Sequence, residues 1–225
     1  MPIKTDKREY RKINAAQMET RTAEDGGKIV EGYATTFNQP YELWRDAEMT
    51  VNEQVDSRAF DETDMSDVIM QYDHEGRVFA RISNGTLELA SDEHGLHIRA
   101  NLGGTEIGRQ LFEEINGGYT NKMSFGFTVT GDERKITKDA DGHVTVLRTI
   151  TKIGKLYDVS AVSLPANDAT EISARMTSDG LIAEVLEEVR AEEERERARL
   201  AEEERRSAAL ERLNNLIKEV KHDEV

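Results

Sequence analysis

No cysteine occurs in the 225 residues, which excludes disulfides, thiolate metal sites and a cysteine nucleophile together. No run of about 18 apolar residues is present, the length a membrane-spanning helix needs. The first ten residues, Met-Pro-Ile-Lys-Thr-Asp-Lys-Arg-Glu-Tyr, lack the apolar centre of a secretory signal, so a cytoplasmic protein is expected. Basic residues are scarce beside acidic ones, 30 Lys and Arg against 45 Asp and Glu, for a formal net charge of -15. Such a surface repels nucleic-acid backbones and anionic membranes, and neither is expected as a primary partner. The motifs of several chemistries are missing as well. His74, His94, His97, His143 and His222 form no HExxH pair or ligand cluster, so no metal is expected. The absence of a Walker A motif and of GxGxxG removes support for a phosphate or dinucleotide cofactor. No GxSxG elbow surrounds any serine, which argues against an α/β-hydrolase.

What is there divides unevenly. Apolar residues make up 37% and charged residues 33%, a balance that keeps part of the chain out of any core. That part begins near Leu181. Residues 187–206 are almost entirely Glu, Arg and Ala, and glycine and proline are absent from 181 to 225. Glu193 and Arg197, and Glu202 and Arg206, stand four apart with the acid first, the favourable order on a helix. The spacing predicts one long charged helix, solvated along its middle. Its apolar residues gather at the ends: Leu181, Ile182, Val185, Leu186 and Val189, then Leu210, Leu213, Leu216, Ile217 and Val220. These ends are candidate docking patches for a partner. The expected organisation is an N-terminal extension over 1–24 with one weak strand, a folded domain over 25–178, and a helical tail over 179–225.

Within the domain, β-rich runs at close spacing predict a mainly β, α+β fold, an antiparallel barrel of about seven strands with flanking helices. Strands are expected at Lys28–Phe37, Val68–Tyr72, Phe79–Ser83, Thr86–Ala90, Leu96–Leu102, Val144–Ile150 and Lys155–Leu164, the last closed by Pro165-Ala166-Asn167, besides the one at Ser124. Residues 38–60 read as a long loop, 60–67 as a short helical turn and 132–142 as a charged turn region. Thr105 caps a helix whose apolar stripe is Ile107, Leu111, Phe112 and Ile115 and which Gly117-Gly118 stops.

One strand carries a candidate for chemistry. Asn121-Lys-Met-Ser-Phe-Gly-Phe-Thr-Val129 alternates bulky apolar residues with small or polar ones. Its core face is filled, while Ser124 and Gly126 leave the other face bare enough for a visitor. A strand packed closely on a neighbour has the same pattern. A nucleophilic serine needs a base within about 2.6–3.2 Å, and a third group to orient that base. His74, at the end of a predicted strand in the turn Asp73-His74-Glu75-Gly76, is suited as base. Asp158, a carboxylate inside the apolar run Leu156–Val162, is costly there unless it is partnered. His97, also in a predicted strand, is the alternative third member, and the residues leave the choice open.

In order and spacing, several segments resemble the prohead (capsid maturation) proteases of tailed bacteriophages, a family distantly similar in fold to the herpesvirus assemblins. They are Glu31-Gly32-Tyr33-Ala34 with Phe37, Gln71-Tyr72-Asp73-His74, Gly95-Leu96-His97, Met123-Ser124-Phe125-Gly126-Phe127, and Leu156-Tyr157-Asp158-Val159-Ser160 before Pro165-Ala166. The resemblance covers roughly residues 28–175. It implies a serine endopeptidase acting in the host cytoplasm inside an assembling procapsid. The major capsid protein and its scaffold region are the implied partners and substrates, together with the protease itself; weak or concentration-dependent self-association is a separate expectation. By the same likeness Ser124 matches the nucleophile, His74 the histidine and Asp158 the orienting acid; the assemblins use a second histidine, which keeps His97 in view. The reading from another class is a non-enzymatic capsid scaffold or assembly protein.

Overall fold

The three-dimensional structure, a computed structural model, describes residues 8–13, 18–24, 26–163 and 171–222, with the side chains of 12–13, 171–181 and 213–222 set aside. The chain forms β1 (Glu9–Ile13), β2 (Glu19–Thr22), β3 (Lys28–Thr36), β4 (Tyr41–Arg45), β5 (Met49–Val55), β6 (Ile69–Tyr72) and β7 (Glu75–Arg81). Then come β8 (Leu87–Ser91), β9 (Gly95–Asn101), α1 (Glu106–Asn116), β10 (Lys122–Lys138), β11 (Val144–Val162) and α2 (Glu171–His222). By contacts it divides into two units, Met1–Asp179 and Gly180–Val225.

The first unit is mainly β, but its sheets do not close into the expected barrel. A seven-stranded sheet runs β1-β10-β11-β5-β4, with β6 also pairing β11 and β7 pairing β6; a separate four-stranded sheet runs β2-β3-β9-β8. Strand β11 is the reason the larger sheet stays open. Its first half pairs in parallel with β5, from Val144↔Met49 to Ile150↔Val55, and its second half in parallel with β6, from Asp158↔Ile69 to Ala161↔Tyr72. One strand thus serves two partners in succession, and the sheet branches instead of curling. The sheet is also mixed, since every other pairing in it is antiparallel.

Among the described residues eleven strands form, nine of them (β3–β11) within the domain where about seven were expected. Two of the extra ones, β4 and β5, occupy the stretch read as loop. In β5 the inward positions are Met49, Val51, Glu53 and Val55, so a fully buried carboxylate interrupts the apolar alternation. The charged turn region is likewise strand as far as Lys138, leaving a short turn from Asp139 to Gly142. Val144–Ile150 and Lys155–Val162 are one continuous strand. The segment 60–67 is a run of turns, not helix. In the N-terminal extension two strands form, and both are built into sheets. Pro165-Ala166-Asn167 lies outside the described residues.

A single apolar core joins the two sheets. It includes Val30, Ala34, Leu96, Ile98 and Ala100 from the smaller sheet and Met123, Phe125, Phe127, Leu156, Val159 and Ala161 from the larger. Phe125 and Phe127 stack with centroids 4.4 Å apart. Helix α1 adds Leu111, Phe112 and Ile115, each worth about 1.5–3 kcal/mol when fully buried. As the sequence predicts, Thr105 accepts the Gly108 N–H at 3.0 Å as its cap, and Gly118, at φ 77°, follows its end. The tail is helical from Glu171, ten residues before the change in composition. Ion pairs Glu192–Arg195, Glu193–Arg197 and Glu196–Arg199 line it. The side chains of Leu181, Leu213, Leu216, Ile217 and Val220 lie outside the described residues.

Candidate active site

Ser124 sits on the face of β10 that its bulky neighbours leave free. Met123, Phe125 and Phe127, each fully buried, point into the core, while Ser124 and Gly126 point the other way. Across the ladder to β11, Ser124 faces Ser160 and Gly126 faces Asp158. A bulge brings these residues together. Gly126 pairs with Asp158 but the next residue, Phe127, pairs with Leu156, so Tyr157 is the extra residue on β11. Without that insertion, Leu156, Asp158 and Ser160 would share one face by the period of two. With it, Leu156 turns into the core with Val159 and Ala161, and Asp158 and Ser160 turn towards Ser124.

His74 arrives from the hairpin of β6 and β7. Tyr72 pairs with Glu75, so Asp73 and His74 form a two-residue turn. Both have positive φ, 48° and 62°, the signature of a type I′ turn. Aspartate and histidine are among the non-glycine residues that tolerate this region. Asp73 ties the turn down. Its N–H donates to the Ala161 carbonyl at 2.9 Å, and its carboxylate accepts the Ser163 N–H at 3.1 Å and the Ser163 hydroxyl at 2.9 Å. The β6–β11 pairing and this anchor hold His74 over the end of the site.

The resulting geometry is a continuous line. His74 Nε2 lies 2.5 Å from Ser124 Oγ, and His74 Nδ1 lies 2.5 Å from Asp158 Oδ2. Ser160 donates its hydroxyl to the same Oδ2 at 2.9 Å. Asp158 is 1% exposed and Ser124 and Ser160 are fully buried; a buried carboxylate requires such partners. Asp158 Oδ1 faces Gly126, where a Cβ would lie only 2.4 Å away, so glycine leaves the carboxylate its room. Tyr10 of β1 covers the other side, its ring centroid 4.4 Å from that of His74.

Three of the sequence candidates therefore converge, and the fourth does not. His97 stands in the smaller sheet on β9, its ring 5.2 Å from that of Tyr33, and no hydrogen bond joins it to Ser124 or His74. Ser160, Gly126, Asp73 and Tyr10 complete the surroundings. Ser160 stood two residues from Asp158 in the same motif, a readable signal. Nothing in the polar N-terminal extension pointed to Tyr10. Among the described residues no three His, Asp or Glu side chains cluster as a metal ion would require, and no helix is long and apolar enough to cross a membrane.

A hydroxyl, an imidazole and a buried carboxylate joined in this order form the proton-transfer line of serine-type acyl-transfer enzymes. The chain belongs to the caudovirus prohead serine protease family, whose model matches residues 16–183. That membership places it among the capsid-maturation proteases of tailed phages. No curated protein matches the chain. Among solved structures, the bacteriophage T4 capsid assembly protease, gp21, is similar at 13% identity and a TM-score of 0.34, over 68% of this chain and 98% of that one.

Proposed function

We propose that this chain is a serine endopeptidase that cleaves the scaffold region of its major capsid protein, and its own chain, inside the procapsid. Ser124 is the nucleophile, His74 the general base and acid, and Asp158 the group that holds the imidazole in its tautomer. The observation that carries this reading is the hydrogen-bonded line from Ser124 Oγ through His74 to Asp158. His74 Nε2 takes the Ser124 proton as the oxygen attacks a peptide carbonyl. The carbon–nitrogen bond breaks, the amine leaves with the proton from His74, and an acyl-enzyme remains. Water, deprotonated by the same nitrogen, then releases the acid product. Asp158 accepts from His74 Nδ1 and stabilises the imidazolium as it forms. The developing oxyanion needs hydrogen-bond donors, each typically worth about 10²–10³ in rate. A cleft of about 610 Å³ between the hairpin that carries His74 and α1 is lined by Tyr72, Phe79, Ile107 and Leu111 together with Asp73, Glu75, Arg77 and Glu114, and has room to seat part of a peptide.

The test is co-expression with the matching capsid protein, read by intact mass. Wild type is expected to shorten the capsid protein and itself, and Ser124→Ala to shorten neither. Equal masses from both, with capsids still assembling, would leave Ser124 structural and favour the non-enzymatic scaffold reading.

A further inference from the structure

The site just described is closed. Ser124 is fully buried and the His74 side chain is 11% exposed. Beside them runs β1, which among the described residues is an edge strand of the larger sheet paired with β10. Its register is antiparallel, with Tyr10 opposite Gly126 and Lys12 opposite Ser124, and Tyr10 lies against the imidazole. The Tyr10 ring thus stands over His74 on the face of the sheet that bears Ser124.

An unusual anchor holds β1. Its inward residue is Arg11, 2% exposed, where an apolar side chain would be ordinary. Arg11 Nε donates to Glu53 Oε1 at 2.5 Å and Nη2 to Glu53 Oε2 at 3.1 Å. Glu9, two residues earlier, accepts from Arg148 Nη1 at 3.0 Å and Nη2 at 3.3 Å, and also pairs with Arg11 itself. The receiving groups have partners of their own. Glu53 accepts from Arg148 at 2.6 Å and from the Tyr41 hydroxyl at 2.6 Å, and Arg148 donates to Asp132 at 2.8 Å. Departure of β1 would therefore leave a standing socket, one carboxylate and one guanidinium, beside an open strand edge next to Ser124. An open edge with unpaired N–H and C=O groups is a template for an extended peptide.

We propose that β1 is a displaceable strap that holds the site closed, and that it occupies the place of an extended peptide with an acidic–any–basic pattern, whose basic side chain enters the Glu53 socket. The importance of the strap for proteolysis rests on the peptidase reading; the closure itself does not. An antiparallel strand on β10 satisfies the backbone, Glu53 and Tyr41 select the basic residue, and Arg148 selects the acidic one two positions before it. Activation is then an exchange of strands, driven by a peptide in trans that outcompetes the chain's own segment.

Ser124→Cys creates the only thiol in the protein, and its alkylation by iodoacetamide reads access to that position whether or not the enzyme cleaves anything. Adding Arg11→Met, which keeps bulk and removes charge, is expected to speed alkylation at least about tenfold by favouring local opening; Arg11→Lys, which keeps the charge but loses the fork that meets both Glu53 oxygens, should fall between the parent and Arg11→Met. Tyr10→Ala, outside the ion cluster, should also speed it, and covers the case in which Arg11→Met does not fold, as judged by circular dichroism. A synthetic peptide of residues 8–13 should slow alkylation of the loosened variant, and the same peptide with methionine in place of Arg11 should not. Equal alkylation rates in the parent, Arg11→Met and Tyr10→Ala would overturn the strap, and a peptide without effect would overturn the socket. Should alkylation respond as expected while the wild-type protein leaves the capsid protein uncut, the peptidase reading falls and the strap stands.

Discussion

Asp158 reaches His74 only because Tyr157 is an extra residue in its strand, so function at this scale turns on a few atoms. Asp158→Asn keeps the shape but loses the acceptor that selects the imidazole tautomer. Cleavage of a peptide substrate is expected to fall by on the order of 10³–10⁴ in kcat with KM little changed. Gly126→Ala tests the space rather than the charge. The added methyl would meet Asp158 Oδ1 at 2.4 Å and the Tyr10 ring at 2.8 Å, and neither can retreat without disturbing His74. A loss of at least about tenfold in kcat is expected, with the far-ultraviolet circular dichroism unchanged. Full activity in Gly126→Ala would mean that the carboxylate is free to move.

Among the elements, β1 and β5 are bound by charge in a place where most sheets use apolar packing. Burial alone would raise the Glu53 carboxyl, but the attraction of Arg11 and Arg148, with hydrogen bonds from Arg11 and Tyr41, overcomes it and lowers its pKa to about 2. The unfolded chain binds the proton more readily, so this stabilisation is complete above the ordinary glutamate range and is lost as pH falls towards 2. Melting temperature is therefore expected to drop as pH falls below about 4.5, and Glu53→Gln should flatten that acid limb. At neutral pH the same substitution leaves two buried guanidinium groups short of an anion. It should destabilise by about 3–5 kcal/mol in urea titrations. An unchanged acid limb in Glu53→Gln would place the acid sensitivity elsewhere. The hairpin that carries His74 is held by anchors of another kind, Asp73 on Ser163 and Ala161 beside the β6–β11 pairing.

For the whole molecule, the question is what the tail adds to the enzyme. We propose that its charged helix brings the protease to scaffold segments during assembly. The motivation is the run of exposed acidic and basic residues on a helix that continues far beyond the sheets in sequence. Glu202, Glu203 and Glu204 are all exposed; changing the three to lysine reverses local charge without touching a core. Capture of protease in procapsids is expected to fall severalfold, while cleavage of a short peptide is retained. If procapsids held the same amount of the variant, recruitment would not depend on that charge.

Much of this was legible in the sequence, because it rests on local periodicity. The face of β10 that bears Ser124, the cap and stripe of α1, the helical tail and the candidate trio of Ser124, His74 and Asp158 follow from alternation, turn chemistry and the order of short motifs. Tertiary structure decided the rest. Whether β11 pairs with one strand or two depends on partners far away in sequence, and so the barrel became a branched, open sheet. A bulge is a mismatch between strands that neither strand encodes alone, yet it chose the face Asp158 points to. Asp158 meets His74 and His97 does not, because His97 belongs to the other sheet, a fact of topology. Strand β1 looked like a polar lead-in because its inward residue is an arginine, and only the distant Glu53 makes that arginine a buried one.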